Sequence, residues 1–336
     1  MALLFLDSCG DHLAAADILQ KYVSGTVGGT GAGLHGLAYT GCNVRAGLVF
    51  NDSIAYAGAS FKFVSSLGFT LFTVYDAIST GQCFVQVQAD GSIGAWRVGA
   101  APGTFICLSA PDIIQVGVWQ RIEAYIKVGA TTGAIEIRVD TVTVASATNV
   151  DTRQIFGVYT GTLRSIDIGS ISMQSPTAAL VDDVIVMDEV DNGDTFNTWQ
   201  GAIEIVVKRP NGEGASTQWT PSPPPTNWAN VDDVTPDGDA TYNEAGAGPL
   251  DDLFEMEDLA PDETVTGVQL LVSARRTIDG PGVINGLMQQ GATLTVTADV
   301  ATGATYNYLR VPFGKAPSGA LWSKAIWDAI QCGVRK

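Results

Sequence analysis

Carboxylates are the chemistry-bearing side chains that this sequence holds in quantity, and they recur in three arrangements. Glu136 and Asp140 flank Arg138 at the even spacing that places strand residues on one face. Two carboxyls about 5–10 Å apart across a cleft are what glycoside hydrolysis needs. The intervening arginine, and the turn that begins at Asp140, favour a solvated strand face over an acid–base pair. Asp182 and Asp183 are adjacent, so alternation sends them to opposite faces and denies them a shared reaction. Their reading is structural, as acceptors of backbone hydrogen bonds, with calcium ligation by one of them as the alternative. The third arrangement, Asp232, Asp233, Asp237 and Asp239 around Gly238, supplies the loop oxygens that calcium takes. Its spacing departs from the EF-hand loop, and a solvated acidic loop is the competing reading.

Other chemistries have less to work with. The only histidines, His12 and His35, lie in Gly/Ala-rich surroundings, and neither adjoins a GxSxG nucleophile elbow. The five cysteines (Cys9, Cys42, Cys83, Cys107 and Cys332) are odd in number and form no CxxC pair, which argues against a disulfide framework or a zinc site. Gly25–Gly36 lacks the Lys-Ser/Thr of a phosphate-binding loop and reads as a flexible loop. Trp199, Trp219 and Trp228 sit in polar stretches and are candidates for contact with a sugar or a protein partner, against core packing as the alternative.

These residues must be positioned mainly by strands. Ile122, Ala124, Ile126 and Val128 alternate with Arg121, Glu123 and Lys127, and Ile135, Ile137 and Val139 alternate with Glu136 and Arg138. The short glycine-flanked connection between the two runs predicts a hairpin. A second hairpin is predicted where Cys83–Gln88 meets Ile93–Val98. About a dozen short strands are expected before residue 190, with one helical turn at Asp17–Tyr22, so an all-β sandwich or jelly roll is the expectation. The polar run Asp188–Asp194 places a boundary there, dividing the chain into 1–190 and 191–336. In the second part a strand is expected at Ala202–Lys208. Asp232–Glu263 then carries twelve acidic residues and no Lys or Arg. Leu321, Trp322, Ala325, Ile326, Ala329 and Ile330 fit one helical face, so a closing helix over 320–332 is expected, with Ser318 as cap and Gly333 as stop.

Composition narrows the function. The 336 residues include 38 glycines and only 16% charged residues, as turn-rich β proteins do, with 18 Lys+Arg against 35 Asp+Glu. A net charge of −17 is repelled by phosphate backbones and anionic lipid, so neither a nucleic acid nor a membrane is an expected partner. No apolar run approaches the ~20 residues of a membrane span, and the opening residues lack a signal peptide's basic region.

Val118–Val128, Gly133–Asp140 and Val181–Val186 together resemble the concanavalin A-like, laminin-G-like jelly roll. Leu3–His12 is similar to the opening of such domains in structural proteins of tailed bacteriophages. Lys208–Gly214, Gln218–Pro221, Asn227–Asp233, Pro236–Tyr242 and Trp322–Cys332 resemble a companion domain of the same proteins. The resemblance implies a non-enzymatic virion protein: a head decoration, a neck or tail accessory, or a fibre component. Such a protein is made in the host cytoplasm, contacts other capsid or tail proteins, self-associates (a trimer by family habit) and reaches a host glycan. The laminin-G-like fold often binds glycans with calcium, but no matching ligand set stands in this sequence, so no cofactor is expected, and the ExDxxE strand of related glucanases is replaced by Ile135–Asp140. A carbohydrate-binding module outside any particle is the alternative.

Overall fold

The computed structural model describes residues 3–9, 24–32, 34, 37–47, 53–99, 103–156, 159–169, 178–190, 193–194, 196, 198–224, 226–234, 237–277 and 282–336. His12, His35 and the expected turn at Asp17–Tyr22 lie outside them. The chain is all-β and divides into two compact units, Met1–Val206 and Val207–Lys336.

The first unit holds β1 (Leu3–Asp7), β2 (Ser24–Ala32), β3 (Leu37–Gly47), β4 (Ile54–Phe63), β5 (Thr70–Asp76), β6 (Gly81–Val87), β7 (Ile93–Arg97), β8 (Thr104–Leu108), β9 (Trp119–Lys127), β10 (Gly133–Val139), β11 (Val142–Val150), β12 (Leu163–Gly169) and β13 (Ala179–Met187). They form one antiparallel sheet in the order β11-β10-β9-β4-β13-β3-β12-β5-β6-β7-β8, with β1 beside β13 and β2 beside β3. Both expected hairpins form: Ile135 faces Ile126 across β10 and β9, and Val85 faces Ala95 across β6 and β7. The sheet curls back on itself as a sandwich. Phe61 of β4 meets Phe72 of β5 at 5.8 Å between ring centroids, although three strands separate them in the ladder. Between the layers, period-two apolar residues such as Ile122, Ala124, Ile126, Ile135 and Ile137 join these rings in one core. Gly25–Gly36 departs from its expectation. Residues 24–32 are strand β2, because glycine and threonine backbone still pairs well with β3.

In the second unit β14 (Pro210–Thr217), β17 (Asp251–Met256), β19 (Gly282–Gln290), β20 (Thr293–Val296), β21 (Val300–Thr302) and β23 (Ile330–Arg335) make a six-stranded sheet. The pair β18 (Val268–Ala274) and β22 (Asn307–Phe313) packs on it through Val272, Leu309, Ile284 and Val334, and β15 (Thr220–Ser222) pairs with β16 (Tyr242–Glu244).

Three boundaries differ from the sequence expectation. The helix expected over 320–332 is a single turn, α1 (Lys324–Trp327), capped by Ser323 and not by Ser318. Beyond it Ile330, Cys332 and Val334 alternate in β23, which sits between β17 and β19 and gains a ladder on each side. Gly333 is part of that strand, where only glycine fits because a Cβ there would run into the carbonyl of Asp252. The expected strand Ala202–Lys208 is irregular chain, and the expected division at 190/191 falls at 206/207. One cause serves both. Phe196 is buried among Leu3, Ile185 and Met187, and the following residues are tied to carboxylates of the first unit's sheet.

Candidate functional site

Alternation on β4, β9 and β10 sends one residue set into the sandwich core and the other to the opposite face. Register then places Tyr56 beside Tyr125 beside Glu136, Gly58 beside Glu123 beside Arg138, and Ser60 beside Arg121. The neighbouring strand β13 contributes both Asp182 and Asp183, against the opposite faces that alternation predicts, because a bulge interrupts its pairing with β4 and Asp183 takes a left-handed φ of 51°. Over this face runs a strap, residues 198–205, with no strand ladder of its own. The backbone N–H groups of Gln200 and Gly201 donate to the Glu123 carboxylate at 3.1 Å each, and that of Ile205 donates to Asp183 Oδ1 at 2.8 Å. The Arg138 guanidinium lies 4.2 Å over the Trp199 ring, and Tyr56 meets the same indole edge-on at 5.5 Å.

The electrostatics of this face follow from burial. Arg121 is only 5% exposed, and desolvation holds its guanidinium below the usual arginine range, opposed by Glu123, Asp183 and Asp182. Burial likewise raises the Tyr56 hydroxyl, reinforced by the charges of Glu189 and Glu136.

The carboxylates expected to do chemistry are occupied. Glu136 Oε1 accepts from Arg138 Nε at 2.8 Å and from the Thr143 hydroxyl at 2.7 Å. Asp140 Oδ1 instead accepts the backbone N–H of Arg121, so the two do not converge on a cleft. Asp182 and Asp183 are both buried. Asp182 accepts the N–H groups of Asp183 and Leu34, as a structural carboxylate does.

Of the indole candidates, Trp199 has a face covered by Arg138. Trp219 packs with Ile284, Leu309 and Val334 and donates its ring N–H to the Leu250 carbonyl at 3.0 Å. Trp228 is half-buried at the start of a 3₁₀ turn, Trp228–Asn230. The acidic loop splits as well. Asp233 and Asp237 share the Thr241 hydroxyl at 3.1 and 3.0 Å, whereas Asp239 pairs with Arg275 at 2.7 Å and accepts from the Tyr306 hydroxyl. Asp232 is half-buried beside them. Among the described residues no group of three or more His, Cys, Asp or Glu side chains is arranged to hold a metal ion. No described helix is long and apolar enough to cross a membrane.

A buried polar knot in the second unit escaped the sequence reading. Asp252 receives Asn227 Nδ2 at 2.8 and 2.9 Å and Asn243 Nδ2 at 3.2 Å, and Glu213 receives the Asn227 N–H at 2.8 Å. Burial pushes the Asp252 carboxyl up to about 6, against its asparagine donors and with help from Glu213. Arg121 and Gly58 escaped for a different reason. A charged residue on the polar side of an alternating strand signals solvent, and only the apolar Phe196, Ile203 and Ile205 downstream hinted that this face is covered.

No family model and no curated protein matches the chain. Among solved structures, alginate lyase Aly36B is similar over 55% of this chain and 97% of its own, at 11% identity and a TM-score of 0.37. A Bacillus subtilis protein of unknown function with a galectin-like fold is similar over 55% of this chain and 96% of its own, at 10% identity and a TM-score of 0.35. The carbohydrate-binding module CBM66 from Bacillus subtilis is similar over 49% of this chain and 92% of its own, at 12% identity and a TM-score of 0.31.

Proposed function

We propose that this protein is a non-catalytic binding and assembly component on the surface of a tailed-phage particle, self-associating and in contact with a host glycan. The observation that carries the assembly part is an apolar edge on the first unit. Phe84, Trp96 and Phe105 stand side by side across β6, β7 and β8, with centroids 5.9 and 6.4 Å apart. On the edge strand β8, Phe105 is 58% and Leu108 43% exposed, and Phe156, which follows the segment bonded to the end of β7, is 79% exposed. Exposed apolar side chains gathered along a strand edge favour a partner surface. The residue resemblance supplies the particle, and the engagement of Glu136 and Asp140 with their own neighbours speaks against hydrolysis.

Quantitative mass spectrometry of purified particles tests this reading by scaling the chain to the major capsid protein. Hundreds of copies correspond to decoration or a tail-length array, and a handful to a neck, tail tip or fibre. Absence from the particle overturns the proposal. A free carbohydrate-binding module is the second reading, favoured by the Tyr56, Tyr125, Trp199 and Arg138 cluster. A glycan array run with and without EDTA separates the two, because robust glycan binding by a chain absent from particles supports the module.

A further inference from the structure

We infer that Arg121 is the anchor of a carboxylate-binding site beneath the 198–205 strap, suited to a sugar acid. Arg121 Nη1 donates to the Asp183 carbonyl at 2.6 Å, but Nε and Nη2 are buried without a hydrogen-bond partner. Those two N–H groups point the same way from one edge of the guanidinium, the fork that grips a carboxylate through two parallel hydrogen bonds. Leaving buried donors unmet costs about 1–3 kcal/mol each, more for a charged group, so a fold does not keep such an edge idle without a use.

Three carboxylates are near enough to act on Arg121 electrostatically, yet none fills the fork. Glu123 holds the N–H groups of Gln200 and Gly201, Asp183 holds that of Ile205, and Asp182 holds those of Asp183 and Leu34. The strap thus occupies two of the three acids that would otherwise neutralise the arginine, and Leu34 with the bulge of β13 occupies the third. Glycine at 58 preserves the space on the β4 side, where a Cβ would lie 2.7 Å from Arg121 Nη2. The left-handed backbone of Asp183 and the bulge beside it concentrate strain at the same spot. Tyr56, Tyr125 and Trp199 lie along the same face and give a sugar ring an apolar neighbour. Because the strap has no ladder and is held by backbone N–H groups, the contacts of Trp199 with Arg138 and Tyr56 and the packing of Ile203, its lifting is the step that admits the ligand.

The sugar-ring part of this inference rests on the glycan reading above; the carboxylate part stands independently of any particle. Titration of the full chain with glucuronate and with glucose, followed by tryptophan fluorescence and thermal shift, tests it. Glucuronate is expected to bind and glucose to leave both signals unchanged. Arg121→Lys keeps the charge but loses the fork, and should weaken glucuronate about tenfold or more with the far-ultraviolet dichroism intact. Where that variant does not fold, Gly58→Ala, which presses on Nη2, should give the same loss. Glu123→Ala releases Gln200 and Gly201 and should tighten binding. An equal response to both sugars, an unchanged affinity in Arg121→Lys, or no glucuronate binding in either wild type or Glu123→Ala overturns the site. Glucuronate binding by a chain absent from particles would retire the virion proposal and leave this one standing.

Discussion

Burial raises the Asp252 carboxyl to about 6 and so gives the second unit a group that titrates near neutral pH. Its folded pKa lies above the ~4 of an unfolded aspartate, so the native state holds the proton more tightly. The stabilisation is complete below about pH 4 and is lost as pH rises through about 6. Chemical denaturation at half-unit intervals from pH 4 to 8 should show the second unit losing about 3 kcal/mol at most across that window. In Asp252→Asn the slope should vanish, whatever the variant's absolute stability. A wild-type curve that rises over the same interval would contradict the assignment. Polar residues of this kind were the least legible in the sequence. Asp252 belongs to an acidic run whose obvious reading is solvation, and only the meeting of β14, β16 and β17 makes it a buried acceptor of asparagine amides.

Elements announced themselves wherever the apolar period was two and the turn was short. The β9–β10 and β6–β7 hairpins are cases where Ile, Val and Ala alternate with polar residues and glycine closes the turn. Strand β2 was hidden because a ladder needs only backbone, and the Gly/Thr run Ser24–Ala32 has no apolar rhythm to display. The C-terminal helix was overextended for the opposite reason. Trp322, Ile326 and Ile330 satisfy a helical stripe, yet Ile330, Cys332 and Val334 also satisfy a strand. Central pairing between β17 and β19 decided between them. Gly333 is where this outcome can be tested. Gly333→Ala forces a methyl against the Asp252 carbonyl, and should cost about 3 kcal/mol in the denaturation midpoint of the second unit. At the stop of a helix the same change would meet no carbonyl and cost about 1–2 kcal/mol for the left-handed backbone alone, so the size of the loss discriminates. The Ala202–Lys208 segment shows the limit of periodicity: its alternation is strand-like, but the Ile205 N–H is bound to Asp183 and the chain just before it to Glu123, so no ladder forms.

Two units with separate cores should melt separately. Calorimetry of the full chain is expected to resolve two transitions. Phe61→Ala, which empties a fully buried site in the first core, should lower only one of them, by about 3–5 kcal/mol. Gly333→Ala should lower only the other. At the molecular edge, Phe105→Glu alters a 58% exposed side chain, so it should leave both transitions within about 0.5 kcal/mol of wild type. The same change should reduce incorporation into particles, read by the mass spectrometry described above. Unaltered incorporation would move the assembly surface away from β8.

The sulfur atoms give these transitions a reporter of their own. Cys9, Cys83 and Cys107 are sealed in the first unit and Cys332 in the second, and burial pushes the thiols of Cys83 and Cys332 to about 12 and that of Cys107 to about 11. Alkylation requires a thiolate that a reagent can reach, so in the native fold these positions are chemically silent. Each becomes reactive only while its own surroundings are open. A pulse of maleimide followed by peptide mapping therefore times the opening of each unit within a single unmodified chain, with the protein's native cysteines serving as clocks.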